Sequence, residues 1–255
     1  MPRRLARLLI AFLSVTALVQ PAPAADIKVL TAGAMRGVLA ELLPQLEKDT
    51  GHKISLDNAT AGTLAKRIEG GETFDVAVIT PKVIDDLIEK GKIVPGSRVD
   101  VAKVGIGVAV KEGAARPDIA TVEAFKRTLL AAGSVAYIDP KAGGSSGIYF
   151  DGLLDRLGIA SEIRPKARLK QGGYVAELVA NGEAEVAVHQ ISEIVPVKGV
   201  VLVGPLPAEI QNFTTYTAAI GAQAKEPAAA KALIERLTTS IFAQVVIRSK
   251  GMERP

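Results

Sequence analysis

The sequence predicts an α/β fold of two lobes, each a mostly parallel sheet flanked by helices, with a ligand cleft between the lobes. Short runs of β-branched residues alternate with segments whose apolar residues recur at helical spacing, which is typical of parallel sheets covered by helices. Two longer extended segments, 99–111 and 214–220, flank a self-contained middle block. The 255 residues also suit two lobes, because a domain typically has roughly 100–200 residues.

Three strand–helix repeats predict the start of the first lobe. Leu39, Leu42 and Leu46 recur on one face, which predicts the first helix. The run 75–80 is almost entirely apolar, as in a strand buried on both faces, and Pro81 suits the first position of the next helix. The predicted strands are 27–31, 53–58 and 75–80, and the predicted helices are 35–48, 62–69 and 81–90.

The segment 99–111 is too long for an ordinary strand, and Gly105 and Gly107 allow it to bend. Beyond it the alternation resumes, and two helical patterns end the chain. The later predicted strands are 134–138, 185–189 and 200–203, and the later predicted helices are 122–132, 146–157, 173–181, 227–238 and 241–250. We therefore assign 25–103 and 221–255 to lobe one, and 104–220 to lobe two.

Residues 1–24 are predicted to be a signal peptide of the ordinary export type. Three arginines precede an apolar stretch from 8 to 19, and Ala22 and Ala24 are the small residues that a signal peptidase requires. We expect cleavage after Ala24 and export to the periplasm. Loss of the three arginines lowers the formal net charge from +4 to +1, so we expect no nucleic-acid partner.

The residue counts exclude several classes of site. Without cysteine the chain has no thiol nucleophile, disulfide or cysteine-ligated metal, and two histidines are too few for a histidine metal cage. The sequence has no Walker, Gly-x-Gly-x-x-Gly or Gly-x-Ser-x-Gly motif. We expect neither a cofactor nor a metal.

Small residues follow the predicted strands and open the next helices, and these turns form the candidate ligand site. Ligands of open parallel sheets bind beyond the carboxyl ends of the strands, where helix N-termini present unsatisfied N–H groups to an anion. The alternative is that each turn is an ordinary helix cap. The candidate residues are Gly33, Ala34, Met35, Thr60, Ala61, Gly62, Thr63, Ser145, Ser146, Gly147, Gly173, Tyr174, His189 and Gln190.

His189 ends the predicted strand 185–189 and is the candidate titratable group of the site. Its imidazole titrates near neutral pH, so it can act as a hydrogen-bond donor or as a base. A packing role at the hinge is the alternative. Glu193 is predicted to be a charge on a helix face, with a base as the alternative, and His52 to be a surface residue without a role.

Four parts of the chain resemble periplasmic solute-binding proteins of the molybdate type. They are 27–34, 62–69, 75–78 and the turn that runs from Asp139-Pro140 to Gly147-Ile148-Tyr149. The resemblance covers essentially the whole chain after residue 24. It implies a type II periplasmic binding fold, a small anionic ligand, and the membrane permease of an ABC transporter as partner. We expect a monomer.

Three positions depart from that family and argue against molybdate. The family's pocket uses serine hydroxyls where this chain has Ala34 and Ala61, and a tyrosine where it has Gln190. Each missing charge-assisted hydrogen bond costs roughly 1–3 kcal/mol. Two such losses lower the affinity by about two or more orders of magnitude. The sequence therefore favours an organic carboxylate over molybdate.

Two functions follow from the resemblance. A solute-binding protein of an importer needs only a difference in affinity between open and closed lobes. The sequence also resembles, at a similar overall level, periplasmic aconitate isomerase, which shares this fold and moves a double bond by a 1,3-proton shift without a cofactor. His189 would be the catalytic base in that case. We favour solute binding, because the case for catalysis depends on one histidine.

Overall fold

The computed structural model describes residues 24–255. Residues 1–23, which hold nearly all of the predicted signal peptide, lie outside the described residues, so its cleavage stays a prediction. Within 24–255, no helix has the length and apolar character needed to cross a membrane.

Nine strands and ten α-helices alternate along the described chain. The strands are β1 (Asp26–Ala32), β2 (Lys53–Ala59), β3 (Val76–Ile79), β4 (Val99–Lys111), β5 (Val135–Ile138), β6 (Ala167–Lys170), β7 (Val186–Gln190), β8 (Val200–Pro205) and β9 (Phe213–Ile220). The helices are α1 (Gly33–Thr50), α2 (Ala61–Glu69), α3 (Pro81–Glu89), α4 (Val122–Ala131), α5 (Ser145–Arg156), α6 (Ala160–Ile163), α7 (Ala176–Ala180), α8 (Ile191–Ile194), α9 (Pro227–Thr239) and α10 (Ile241–Ser249).

Two parallel groups of strands are joined through an antiparallel pair. The strand order is β2-β1-β3-β9-β4-β7-β5-β6, with β8 also paired to β4. β1 runs parallel to β2 and β3, and β5 runs parallel to β6 and β7. β9 is antiparallel to β3 and β4, and β4 is antiparallel to β7. The carboxyl end of every parallel strand is followed by a turn or a helix, as the predicted α/β fold requires.

One long strand, β4, connects the two halves of the sheet. Its residues up to Gly105 pair with β9, and its residues from Ile106 onward pair with β7 and β8. The segment that was predicted to be too long for one strand is therefore a single strand that serves both halves. Gly107 has no room for a side chain, because a Cβ would lie 2.8 Å from atoms of Ile191 and Leu202.

Buried apolar side chains form separate cores on either side of Gly105. One core draws on residues within 25–104 and 216–252, and two further cores draw on residues within 106–206. β9 contributes Tyr216, Ala218 and Ala219 to the first core, although our division of the chain assigns 214–220 to lobe two. The lobe boundaries stay a prediction, whereas the α/β class with helices flanking the sheet is confirmed.

Three short elements are missing from the predicted set. β6, α6 and α8 have 4 residues each, too few to show a periodic pattern. The predicted helix 173–181 is reduced to α7. Gly173 has a φ of 72°, a left-handed conformation in which a right-handed helix cannot start.

Candidate functional site

A small cavity lies where the turns after β1, β2, β5 and β7 meet. Its volume is about 30 Å³. We call one side the alanine wall, which consists of Ala32, Gly33, Ala34, Ala59, Thr60 and Ala61. We call the other side the polar wall, which consists of Gly144, Ser145, Ser146, Gly172, Gly173, His189 and Glu193. Ile138 and Tyr216 complete the lining.

Three helices begin at this cavity, and two of them lack a capping side chain. α1 follows Ala32 and α5 follows Gly144, and neither residue provides a side-chain cap. α2 is different, because Thr60 Oγ1 accepts a hydrogen bond from the backbone N–H of Thr63 at 3.2 Å. The first N–H groups of α1 and α5 therefore have no capping side chain and are available to an anion in the cavity.

Contacts between the turn before α2 and the turn before α5 close the cavity on one side. The hydroxyl of Thr60 donates to the carbonyl of Ala142, and the N–H of Gly62 donates to the carbonyl of Gly143 at 3.1 Å. Gly143 has a φ of 73°. A Cβ on Gly62 would lie 2.8 Å from the Cα of Gly143, so both positions require glycine in this closed arrangement.

His189 is buried, with 2% of its surface exposed, and both of its ring nitrogens have partners. Nε2 lies 3.3 Å from the carbonyl of Gly173, which only accepts, so Nε2 carries the proton. Nδ1 then accepts from the hydroxyl of Ser146 at 3.0 Å. Burial lowers the pKa of His189 to about 4, so the imidazole is neutral at pH 7.

Glu193 lines the cavity and is buried, which corrects its interpretation as a charge on a helix face. Its Oε1 lies 3.5 Å from His189 Nε2 and above the first residue of α1, where a Cβ on Gly33 would overlap it. Burial raises the pKa of Glu193 to about 8. The sequence contained one signal for this position, since Glu193 follows the strand-end histidine by four residues, one helical turn.

Tyr216 is the other lining residue with a titratable group that the sequence analysis missed. It is buried on β9, and burial raises the pKa of its phenol. Its position depends on the pairing of β9 with β4, a contact between segments more than a hundred residues apart in the chain that no local pattern reveals.

Eight of the fourteen candidate residues line the cavity and six do not. Met35 belongs to the buried apolar core beneath α1, and a Cβ on Gly147 would overlap the carbonyl of Ile138. Gln190 Nε2 instead donates to Ser145 Oγ at 3.1 Å and to Thr214 Oγ1 at 2.9 Å, so it holds a lining residue in place. The six outside the lining are Met35, Gly62, Thr63, Gly147, Tyr174 and Gln190. The role of all fourteen residues in ligand binding stays a prediction.

No lysine or arginine of the described chain lines the cavity. Arg36 on α1 is outside the lining, with its guanidinium carbon 5.6 Å from the centre of the Tyr174 ring. Residues 24–255 also contain no group of three or more histidine, aspartate or glutamate side chains placed to hold a metal ion. Backbone N–H groups and hydroxyls are therefore the donors that an anion would meet.

Comparison with known proteins gives relatives of two kinds. The chain is 33% identical over 240 residues to an aconitate isomerase from Pseudomonas sp, a match that covers 92% of this chain and 90% of that protein. It is 28% identical over 230 residues to the molybdate-binding protein ModA of Azotobacter vinelandii, with 85% of each chain covered. The resemblance that the sequence segments indicated is therefore confirmed.

The fold and the family follow from two further comparisons. The solved periplasmic molybdate-binding protein of Azotobacter vinelandii superimposes with a TM-score of 0.76 at 21% identity, over 90% of this chain and 99% of that one. The predicted type II periplasmic binding fold is thus confirmed. The family model described as bacterial extracellular solute-binding protein matches residues 27–253. The chain belongs to the family of bacterial extracellular solute-binding proteins.

Proposed function

We propose that this protein binds a small organic carboxylate in the cavity and acts as the periplasmic solute receptor of an ABC importer. The observation that carries the proposal is the pair of helix N-termini, α1 and α5, which open at one cavity without capping side chains. Such N-termini bind anions through backbone N–H groups. The hydroxyl of Ser145 adds a side-chain donor on the polar wall, whereas the hydroxyl of Ser146 already donates to His189.

Molybdate fits this lining less well than a carboxylate does. Ala34 and Ala61 both line the cavity, so methyl groups stand where a tetrahedral oxyanion would need hydroxyl donors. A buried anion oxygen without a donor costs roughly 1–3 kcal/mol. A carboxylate has only two oxygens to satisfy, and its carbon skeleton can contact the methyl groups.

The size of the cavity limits what it can hold in the closed arrangement. A water molecule needs about 10–15 Å³ on the same measure, so a cavity of about 30 Å³ holds one carboxylate group rather than a six-carbon tricarboxylate. The rest of a larger ligand requires the turns at Gly62 and Gly143 to separate. We therefore expect the bound form to be more open than this structure.

Calorimetry with a panel of anions tests the proposal. The panel comprises succinate, malate, citrate, cis-aconitate and trans-aconitate, together with molybdate, tungstate and sulfate. We expect at least one carboxylate to bind at least tenfold more tightly than molybdate. Submicromolar molybdate binding, or the absence of binding by every carboxylate, would overturn it.

Mass spectrometry of the periplasmic fraction tests export, with a chain that starts at Ala25 as the expected result.

A second candidate function is the isomerisation of aconitate. The buried pair of Glu193 and His189 favours it, since a 1,3-proton shift needs a group that removes a proton from one carbon and returns one to another. The 33% identity to an aconitate isomerase is consistent with this candidate. Burial moves the pKa values of the two groups apart, as in acid–base pairs of enzymes.

Turnover of aconitate separates the two candidates. The purified protein is incubated with cis-aconitate or trans-aconitate, and the isomer ratio is followed by chromatography. If His189 is the base, His189→Gln lowers turnover by about two orders of magnitude or more while binding survives. If the protein is only a receptor, the isomer ratio stays constant for hours, and His189→Gln weakens binding modestly because glutamine keeps a donor.

A further inference from the structure

The carboxyl of Glu193 is a buried acid without a fixed counter-charge at a site that attracts anions. Its side chain is 8% exposed, and the structure gives it no hydrogen bond to any of the described residues. Its Oε1 lies 3.5 Å from Nε2 of His189, but His189 is neutral at pH 7 and so provides no counter-charge. An ionised carboxylate in this position would be poorly solvated.

The surrounding elements supply titratable groups but no cation in contact with Glu193. His189 on β7, Tyr216 on β9 and Tyr174 before α7 are the titratable neighbours, and Arg36 on α1 lies over the ring of Tyr174. Lys170 lies near His189 and pairs with Glu177, and Lys250 lies near Tyr174 and pairs with Glu41. β8 has no ionisable residue. The charged residues of β4 lie elsewhere: Asp100 next to Arg98, Lys103 next to Glu253, and Lys111 near Gly182.

Glu193 and an incoming anion would both lie at the N-terminus of α1. Oε1 of Glu193 lies above Gly33, the first residue of that helix. A helix N-terminus stabilises one negative charge by about 0.3–1 kcal/mol, which is too little to hold two. Two carboxylates that share a desolvated site retain a proton between them, because like charges at short distance cannot both ionise.

We propose that Glu193 is the specificity-determining residue of this cavity and that an anion binds there only together with one proton, which stays on or next to the Glu193 carboxyl. This inference rests on the proposed function, since it requires an anion in the cavity. A carboxylate whose own pKa lies near neutrality can bring the proton with it. Sulfate and molybdate are fully ionised near neutral pH and bring no proton, so for them the proton must be the one that Glu193 already carries.

Proton uptake measured by calorimetry tests the inference. Citrate and trans-aconitate are the probes, each titrated at pH 6 and pH 9 in two buffers that differ in ionisation enthalpy. Burial alone raises the pKa of Glu193 to about 8. We therefore expect uptake of close to one proton per anion at pH 9 and little at pH 6, with affinity falling about tenfold per pH unit above pH 8.

Glu193→Gln removes the titrating group and keeps the size of the side chain. In this variant we expect no proton uptake at pH 9 and an affinity independent of pH between 6 and 9. Glu209→Gln, which changes an exposed carboxyl outside the cavity, is the matched control and should behave as the wild type. Equal uptake in wild type and Glu193→Gln would overturn the inference.

Two outcomes keep this inference distinct from the proposed function. If neither probe binds at any pH, the carboxylate proposal fails for these ligands. The raised pKa of Glu193 is then tested without ligand, by the pH dependence of thermal unfolding in wild type and Glu193→Gln. Identical pH profiles would overturn the inference. If Glu193→Gln does not fold, the wild type still decides, because zero uptake at pH 9 contradicts a shared proton.

Discussion

The two walls of the cavity present different groups to the anion that we propose binds there. The alanine wall offers the backbone of α1 together with methyl groups, and its single hydroxyl, on Thr60, is already used to cap α2. The polar wall offers the hydroxyl of Ser145 and two buried titratable groups, His189 and Glu193, while the hydroxyl of Ser146 already donates to His189. We therefore expect the first wall to attract an anion, and the second wall to select among anions by their protons and donors.

The titratable groups of the polar wall give the largest expected effect, a pH dependence of stability with two separate limbs. The pKa of Glu193 is raised in the folded protein, so its contribution is present below about pH 4.5 and is lost as pH rises through about 8. The pKa of His189 is lowered, so its contribution is present above about pH 6.5 and is lost as pH falls toward about 4. A tenfold change in the proton affinity of either group on folding corresponds to about 1.4 kcal/mol of stability.

Single variants separate the two limbs. Between about pH 4.5 and 6.5 the two effects oppose each other, and above that range Glu193 acts alone. We expect Glu193→Gln to remove the alkaline decline in the free energy of unfolding and to leave the acid decline. His189→Gln should do the reverse. Denaturant unfolding from pH 4 to pH 9 measures both, and an alkaline decline that persists in Glu193→Gln would contradict the assignment.

Adding hydroxyl groups to the alanine wall gives the second largest expected effect. The double variant Ala34→Ser with Ala61→Ser adds two donors at lining positions. Each new hydrogen bond to an oxyanion contributes roughly 1–3 kcal/mol, so we expect the affinity for molybdate to rise by about a hundredfold. Calorimetry with molybdate measures it. Ala65→Ser, on α2 but outside the lining, is the control, and an unchanged affinity in the double variant would contradict the role of these methyl groups.

The two walls also differ in how much of them the sequence predicted. Each turn of the alanine wall directly follows its strand in the sequence. Small residues such as Gly33 and Thr60 after a predicted strand were therefore enough to place these turns in the candidate site. Glu193 and Tyr216 were missed, because their burial depends on packing between distant segments. A charged residue in the four-residue helix α8 has the same local pattern whether it is buried or exposed. The fold class required only periodicity, which the sequence contains throughout.

The contact between Gly62 and Gly143, which adjoin the two walls, gives the third largest expected effect. Gly62→Ala places a methyl group 2.8 Å from the Cα of Gly143, so the closed arrangement requires the backbone to move. Because the free protein has the closed arrangement and we expect the bound form to be more open, we expect Gly62→Ala to lower the stability of the free protein by about 1.4 kcal/mol and to raise the carboxylate affinity by about tenfold. Gly152→Ala on α5 is the matched control, because its Cβ would meet only the end of Arg156 at 3.9 Å. Both changes replace glycine by alanine within a helix, which by itself favours the helix.

The hydrogen bond from Ser146 to His189 gives the smallest expected effect, and it tests whether the polar wall is held in one arrangement. Ser146→Ala removes the hydroxyl that donates to Nδ1 at 3.0 Å and leaves that nitrogen buried without a partner. We expect the free energy of unfolding at pH 7 to fall by about 1 kcal/mol. Ser161→Ala, which changes an exposed hydroxyl, should leave it unchanged.

Nitrogen NMR shifts of His189 report the tautomer: in the wild type we expect the proton on Nε2, and in Ser146→Ala a mixture of the two tautomers. A proton on Nδ1 in the wild type would mean that Nε2 presents its lone pair toward Glu193, and the shared proton would then lie between these two residues rather than at the ligand.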